Sequence, residues 1–209
     1  MADSRRIVIT GISRGLGRAM MAGLAASGTG SDHLWSNYRA MPQSPVHPSS
    51  LPADEFLRQC DLRFDRRKGP GGQHRNKVET AVVLRHRPSG IQAEAAERRS
   101  QQQNRAVALF RLRVKLALEL RSPVGEDPSQ LWRGRLRAGK LMINPDHTDF
   151  PAILAEALDT LHACDYEPKT AAGHLQTTPS QLLRLLKLEP RAFQWLNDQR
   201  CNLGRSTLR

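Results

Sequence analysis

The sequence predicts an α+β chain: a small domain with a short mixed sheet and one long helix, followed by a small all-helical domain. Three observations predict it. "TAVVLRHR" and "IQAEA" are strand-prone runs on either side of "PSG", a turn sequence, so a hairpin is expected there. From Glu97 to about Leu120, the apolar residues Ala106, Leu109, Phe110, Leu112, Leu116 and Leu120 keep mostly helical spacing. The other face of that helix carries Arg98, Arg99, Arg105, Arg111 and Lys115. Beyond residue 129 the pattern is helical in pieces.

Taken in order, residues 5–27 read as strand, turn and helix: "RIVIT" is β-branched, "GISRGLG" turns, and "RAMMAGLAA" is helix-prone. Residues 28–52 are rich in Gly, Ser and Pro without periodicity and read as a linker. The segment 1–52 is therefore a βα fragment plus linker. The block 53–121 opens with "PADEFLRQC", a short helix with Asp54 and Glu55 near its positive end. "DLRF" is a strand, and the hairpin and the long helix follow. "RSPVGEDPSQ" breaks the helix, and 122–209 forms the helical domain. There, "FPAILAEALDTLHA" is amphipathic, with Asp149 as its N-cap. "KTAAGHLQTTPSQLLRLLKLEP" is a helix pair whose turn carries Thr178, Pro179 and Gln181, a Thr-x-x-Gln capping box. "RAFQWLNDQR" follows Pro190 as a last helix.

The chain has 209 residues, 32 Lys/Arg against 20 Asp/Glu, and a net charge of +12, so a polyanionic partner is expected. The imbalance is concentrated. Arg63 to Arg121 holds 15 Lys/Arg and 5 Asp/Glu, a net of +10, which phosphate contact explains better than an accidentally basic face. Cys60, Cys164 and Cys201 are odd in number and far apart, and no Cys/His pair has metal-ligand spacing. Free thiols, no metal and no cofactor are the expectation. No apolar run approaches the roughly 18 residues that span a bilayer, so no membrane partner is expected.

The densest local signal is "KGPGGQHRNK", Lys68 to Lys77. Three glycines and a proline precede one glutamine, flanked by Arg66, Arg67, Lys68, Arg75 and Lys77. Further on come the Ala81-Val82 strand, His86, Pro88-x-Gly90, and Arg99-Ser100-Gln101 with Asn104. With Gly71-Gly72-Gln73, His74 and Asn76-Lys77, this ordered set resembles the peptidyl-tRNA hydrolase domain of class I peptide chain release factors. The resemblance covers roughly a third of the chain. It implies a release-factor catalytic domain at 53–121 and a catalytic loop of Gly71, Gly72 and Gln73. It also implies RNA contacts by Arg66, Arg67, Lys68, Arg75, Lys77, Arg98, Arg99 and Arg105.

The implied substrate is peptidyl-tRNA in the peptidyl-transferase centre of the large ribosomal subunit, with rRNA as partner and the protein acting as a monomer. Glycine leaves no Cβ to clash with the tRNA end. The Gln73 main-chain N–H can face the developing oxyanion or the leaving oxygen, and its side-chain amide suits the placing of a water. In the family this glutamine is often N-methylated. Gln101 and Asn104 have two readings here, RNA contact or satisfaction of local backbone.

Stop-codon-reading release factors carry a separate decoding domain, and neither 1–60 nor 122–209 resembles one. The resemblance is therefore to codon-independent relatives that rescue stalled ribosomes, which often end in a basic tail; "RCNLGRSTLR" is basic and short. Cytoplasmic localisation is expected, or an organelle matrix in a eukaryotic source, since Arg5, Arg6, Arg14 and Arg18 with few acids resemble a transit segment. Thr10-Gly11-Ile12-Ser13-Arg14-Gly15-Leu16-Gly17 resembles the first turn of a short-chain dehydrogenase. A single βα unit cannot form a dinucleotide crevice, and no Tyr-x-x-x-Lys follows, so no nicotinamide binding is expected. The alternative reading of the chain is an RNA- or DNA-binding regulator that uses "AAGHLQTTPSQLLRLLK", a helix-turn-helix-like segment with Arg184 and Lys187 outside.

Overall fold

Helix α1 (Ala53–Arg58) delivers the chain to β1 (Cys60–Asp65), which pairs antiparallel with β2 (Ala81–His86). β2 pairs in turn with β3 (Gln92–Ala95), so the sheet order is β1-β2-β3. The computed structural model describes residues 46–65 and 80–209, all within one unit, Pro42–Arg209. The βα fragment and the dehydrogenase-like motif lie outside the described residues. Strand directions, expected mixed, are antiparallel in both pairings. The hairpin falls where "PSG" places it, with Gly90 at φ 73° closing the turn. The Gly90 N–H donates to the His86 carbonyl at 2.8 Å.

Alternation decides which face is buried. Val82 and Leu84 on β2 and Ala93 and Ala95 on β3 face helix α2 (Gln101–Glu119) and are buried. From α2, Ala108, Leu112 and Leu116 meet them, an i, i+4, i+8 stripe along a helix about 28 Å long. The stripe differs from the expected one. Ala106 is exposed, and the small Ala108 lies in the cluster beside the alanines of β3, where a larger side chain would hold helix and sheet apart. Val114 and Ala117 leave α2 on another side and join the helical core, so this one helix serves both clusters.

α2 also starts later than the spacing predicts. Residues 97–100 stay outside the helix because Asn104 holds them: its Oδ1 accepts from the Arg98 N–H, and its Nδ2 donates to the Arg98 carbonyl, both at 2.9 Å. At the other end, Arg121 donates to the carbonyls of Ala117 and Leu118, at 2.7 and 2.6 Å, and to that of Leu120, satisfying the last turn.

The second part contains α3 (Gln130–Arg135), α4 (Phe150–Ala163), α5 (Pro168–His174), α6 (Pro179–Lys187) and α7 (Pro190–Asn202). α4 is buried along most of its length. Trp132 fills the core beside it and donates its indole N–H to the Leu175 carbonyl at 2.8 Å. The helix pair forms, and Ala171, Ala172 and Leu175 share a core with Leu182, Leu185 and Leu186. Thr178 caps α6, accepting from the Gln181 N–H. Asp149 sits at the N-cap position of α4 but makes no capping bond there; its carboxylate pairs with Arg135.

Two features go beyond the sequence reading. A ribbon, β4 (Leu136–Arg137) and β5 (Lys140–Leu141), interrupts the helices. Its turn residues Ala138 and Gly139 have φ of 49° and 74°, the left-handed pair that a tight hairpin needs. Residues 46–51, assigned to the linker, are in part packed against the fold. His47 and Ser49 are buried, Pro48–Ser50 forms a 3-10 turn, and the Ser49 hydroxyl donates to the Arg113 carbonyl at 2.7 Å.

Candidate active site

The register of β1 and β2 brings the two ends of one connection together. Asp65 and Ala81 are Cα partners, so the chain leaves the sheet at Asp65 and returns beside it. The intervening residues 66–79 include Gly71, Gly72 and Gln73 and the cations Arg66, Arg67, Lys68, Arg75 and Lys77. All of them lie outside the described residues. What the structure describes is the stem from which that segment is held.

The returning end is fixed by a side chain. Asn104 is fully buried, and its Nδ2 donates to the Thr80 carbonyl at 2.6 Å as well as to the Arg98 carbonyl. With Oδ1 on the Arg98 N–H, one amide ties together the loop end, the segment 97–100 and the first turns of α2. Of the two readings open for Asn104, the structure gives local backbone satisfaction. A buried amide with its acceptor and both of its donor bonds satisfied is costly to remove. This fixes where the loop emerges.

Around that anchor lie three of the expected RNA contacts. Arg98, Arg99 and Arg105 are exposed, and among the described residues their side chains carry no ion pair. Arg98 adjoins the Asn104 clamp through its backbone, and Arg105 follows Asn104 on α2. The stem therefore presents exposed guanidinium groups next to a helix N-terminus, a field that favours phosphate.

Other cations of the same basic block are occupied. Arg111 donates to the Glu94 carbonyl at 2.9 Å and pairs with Glu97, whose carboxyl is held below its ordinary range by that bond. Lys115 donates to the Gln92 carbonyl at 2.8 Å. Together they cover the outward carbonyls of β3, an edge strand. Arg87 pairs with Asp61. Arg113 is half-buried over the Phe56 ring, 5.1 Å from its centroid, and burial lowers its pKa. Arg121 pairs with Asp159 and lies 4.3 Å over Trp195. Charge counting could not separate these groups from the free ones.

His86, one of the residues that carry the resemblance, is buried at the far end of β2. Its Nδ1 meets Ser89 Oγ at 2.8 Å, its Nε2 meets Gln59 Oε1 at 3.2 Å, and its ring stacks on Phe56 at 5.7 Å. Burial lowers its pKa. Its contacts bind the hairpin turn to α1, a structural role. Among the described residues no cluster of three His, Cys, Asp or Glu could hold a metal ion.

Residues 57–137 match the family model described as the RF-1 domain. The chain is 43% identical over 79 residues to peptide chain release factor 1 of Acidiphilium cryptum, covering 37% of this chain and 22% of the relative. It is 34% identical over 111 residues to a chloroplastic peptide chain release factor of Arabidopsis thaliana, covering 49% of this chain and 24% of the relative. It is 42% identical over 87 residues to an uncharacterized mitochondrial peptide chain release factor-like protein of Saccharomyces cerevisiae, covering 41% of this chain and 52% of the relative. The matched region thus spans about a quarter of the length of the first two relatives and about half of the third.

Proposed function

We propose that this chain, which carries the RF-1 domain of the peptide chain release factor family at residues 57–137, hydrolyses the ester of peptidyl-tRNA on the ribosome. The observation that supports this most is the Gly71-Gly72-Gln73 segment, which lies between strands whose ends pair at Asp65 and Ala81. The ribosome already holds the ester, so the protein's task is to deliver a narrow probe. Gly72 lets the backbone approach the tRNA end without a Cβ. The Gln73 N–H then donates to the oxygen that gains charge as the ester is attacked. A donor of that kind contributes about 2.7–4 kcal/mol, or about 10²–10³ in rate. The Gln73 amide orients the attacking water, which removes part of the entropic barrier. Arg66, Arg67, Lys68, Arg75 and Lys77 on the loop, with Arg98, Arg99 and Arg105 on its stem, bind RNA phosphates and hold the loop in register.

We further propose that release is codon-independent, a rescue of stalled ribosomes. The described residues beyond the RF-1 match are mostly helical and bury a core around α4 together with Val114, Ala117 and Trp132, and 122–209 does not resemble a decoding domain of the kind that reads stop codons. The test is single-turnover peptide release from ribosomes carrying peptidyl-tRNA, with and without a stop codon in the decoding site. Equal rates are expected. Release only with a stop codon contradicts the rescue reading, and no release in either case contradicts the hydrolase.

A further inference from the structure

Two basic elements that the release reading leaves unused stand side by side in the helical part. Across the β4–β5 ribbon, Leu136 and Leu141 are partners and pack against the helical core. The next pair, Arg137 and Lys140, flanks the turn and is exposed. The turn between them is Ala138-Gly139, so no side chain longer than a methyl separates the two cations. Ala138 is in the left-handed region, an unfavourable conformation for alanine that keeps the ribbon tight.

The ribbon is docked on the helix pair. Thr177 Oγ1 donates to the Gly139 carbonyl at 3.1 Å, joining the tip to the α5–α6 connection. Leu141 and Ile143 share a cavity of about 60 Å³ with Arg184 and Leu185 of α6. Arg184 is exposed beside it. Among the described residues, Arg137, Lys140 and Arg184 carry no ion pair; Arg137 bonds only the neighbouring Leu136 carbonyl. Neither Gln130–Ile143 nor Pro168–Leu188 contains an acidic residue. Two nearby cations are engaged internally. Arg135 pairs with Asp149, and Lys187 donates to the Arg209 carbonyl at 3.0 Å and lies over Phe193.

We propose that the β4–β5 ribbon and α6 form a second RNA-backbone surface, on which Arg137, Lys140 and Arg184 contact phosphates. Guanidinium groups match phosphate oxygens in geometry as well as charge. Arg137 and Lys140 extend from a ribbon docked beside the helix that carries Arg184, so the three cations leave one region of the surface. The choice of RNA over DNA rests on the release reading; the surface itself does not. Its role is affinity, since it lies outside the loop and stem that carry the proposed chemistry.

The experiment uses the full chain with Arg137→Ala, Lys140→Ala and Arg184→Ala combined. All three side chains are exposed, so the melting curve is expected to match wild type. Affinity for purified ribosomes and for a short duplex RNA is measured across a salt series, together with release at saturating protein. The variant is expected to bind ribosomes about tenfold more weakly, with a salt slope smaller by about two to three. Release at saturation stays within about twofold of wild type. Arg137→Lys with Arg184→Lys keeps the slope. Unchanged affinity and slope overturn the proposal, as does weakening on duplex DNA with none on ribosomes or RNA. If wild type releases no peptide, the hydrolase reading fails, while the ribosome-binding comparison still decides this surface.

Discussion

The two ends of α2 use the same residue type in opposite ways. At its start, Arg98, Arg99 and Arg105 are exposed around a buried amide, Asn104, and carry no ion pair among the described residues. At its end, Arg113 and Arg121 are withdrawn from water, bonded to carbonyls and laid over Phe56 and Trp195. One end holds a neutral clamp and leaves its charges outside. The other takes its charges inside, to close a helix and join two cores. The two ends thus differ in where their cations are satisfied, rather than in how many there are.

The comparison breaks most visibly at Arg121. Its side chain is 16% exposed and its partner Asp159 7%. Arg121→Ala leaves the Asp159 carboxylate with the Ser122 N–H but no cation, and the last carbonyls of α2 without the guanidinium, and is expected to cost about 3–5 kcal/mol. Urea unfolding measures this. A loss below about 1 kcal/mol would place Arg121 among the merely solvated cations.

His47, packed near the same end of α2, sharpens the contrast through pH. Burial holds its pKa down at about 4 against 6.5 in the unfolded chain. Between these values the unfolded chain takes up the proton that the folded one refuses, so stability is lost as pH falls from 6.5 toward 4. Burial raises Asp159 to about 6 from 3.8, with the opposite sign: its contribution is lost as pH rises through that window. The two offset each other in wild type. The stability excess of wild type over His47→Asn is expected to shrink on acidification from pH 6.5 to 4, by on the order of 2–3 kcal/mol. Melting across that pH series tests it; a constant excess contradicts it.

At the stem, Asn104→Ala removes three bonds, including the one to Thr80. The expected cost is about 1–3 kcal/mol in stability. Release at saturating protein is expected to fall about tenfold as the loop base loosens. Loss of stability with unchanged release would make Asn104 structural alone. The smallest effect on folding is expected from Arg98→Ala, Arg99→Ala and Arg105→Ala together. Melting stays unchanged while the salt slope of ribosome binding falls by about three. An unchanged slope removes the stem from the RNA contact.

What the sequence made legible was local. The "PSG" hairpin and the Thr178 cap each depend on neighbours within a few residues, and they appear in the structure. What could not be read depends on distant partners. Ser49 finds the Arg113 carbonyl 64 residues away, and Trp132 finds Leu175 43 residues away. No periodicity reports such pairs. The β4–β5 turn is not legible in "RAGK", which lacks the Asn-Gly or Asp-Gly signature, and Ala138 takes a conformation that alanine seldom adopts. At Asp149 the sequence suggests a capping bond and does not reveal that the Arg135 side chain pairs with its carboxylate.

The central claim is that chemistry resides in the loop while the described frame positions it. Single-turnover peptide release by Gly72→Ala, at saturating protein on ribosomes carrying peptidyl-tRNA, tests it most directly. The added methyl disfavours positive φ and meets the tRNA end, so the Gln73 N–H misses the ester. Release is expected to fall by at least about 10³-fold with ribosome affinity and melting close to wild type, and Gln73→Ala, which keeps the main-chain N–H, is expected to lose less. Release by Gly72→Ala within about tenfold of wild type would contradict the account.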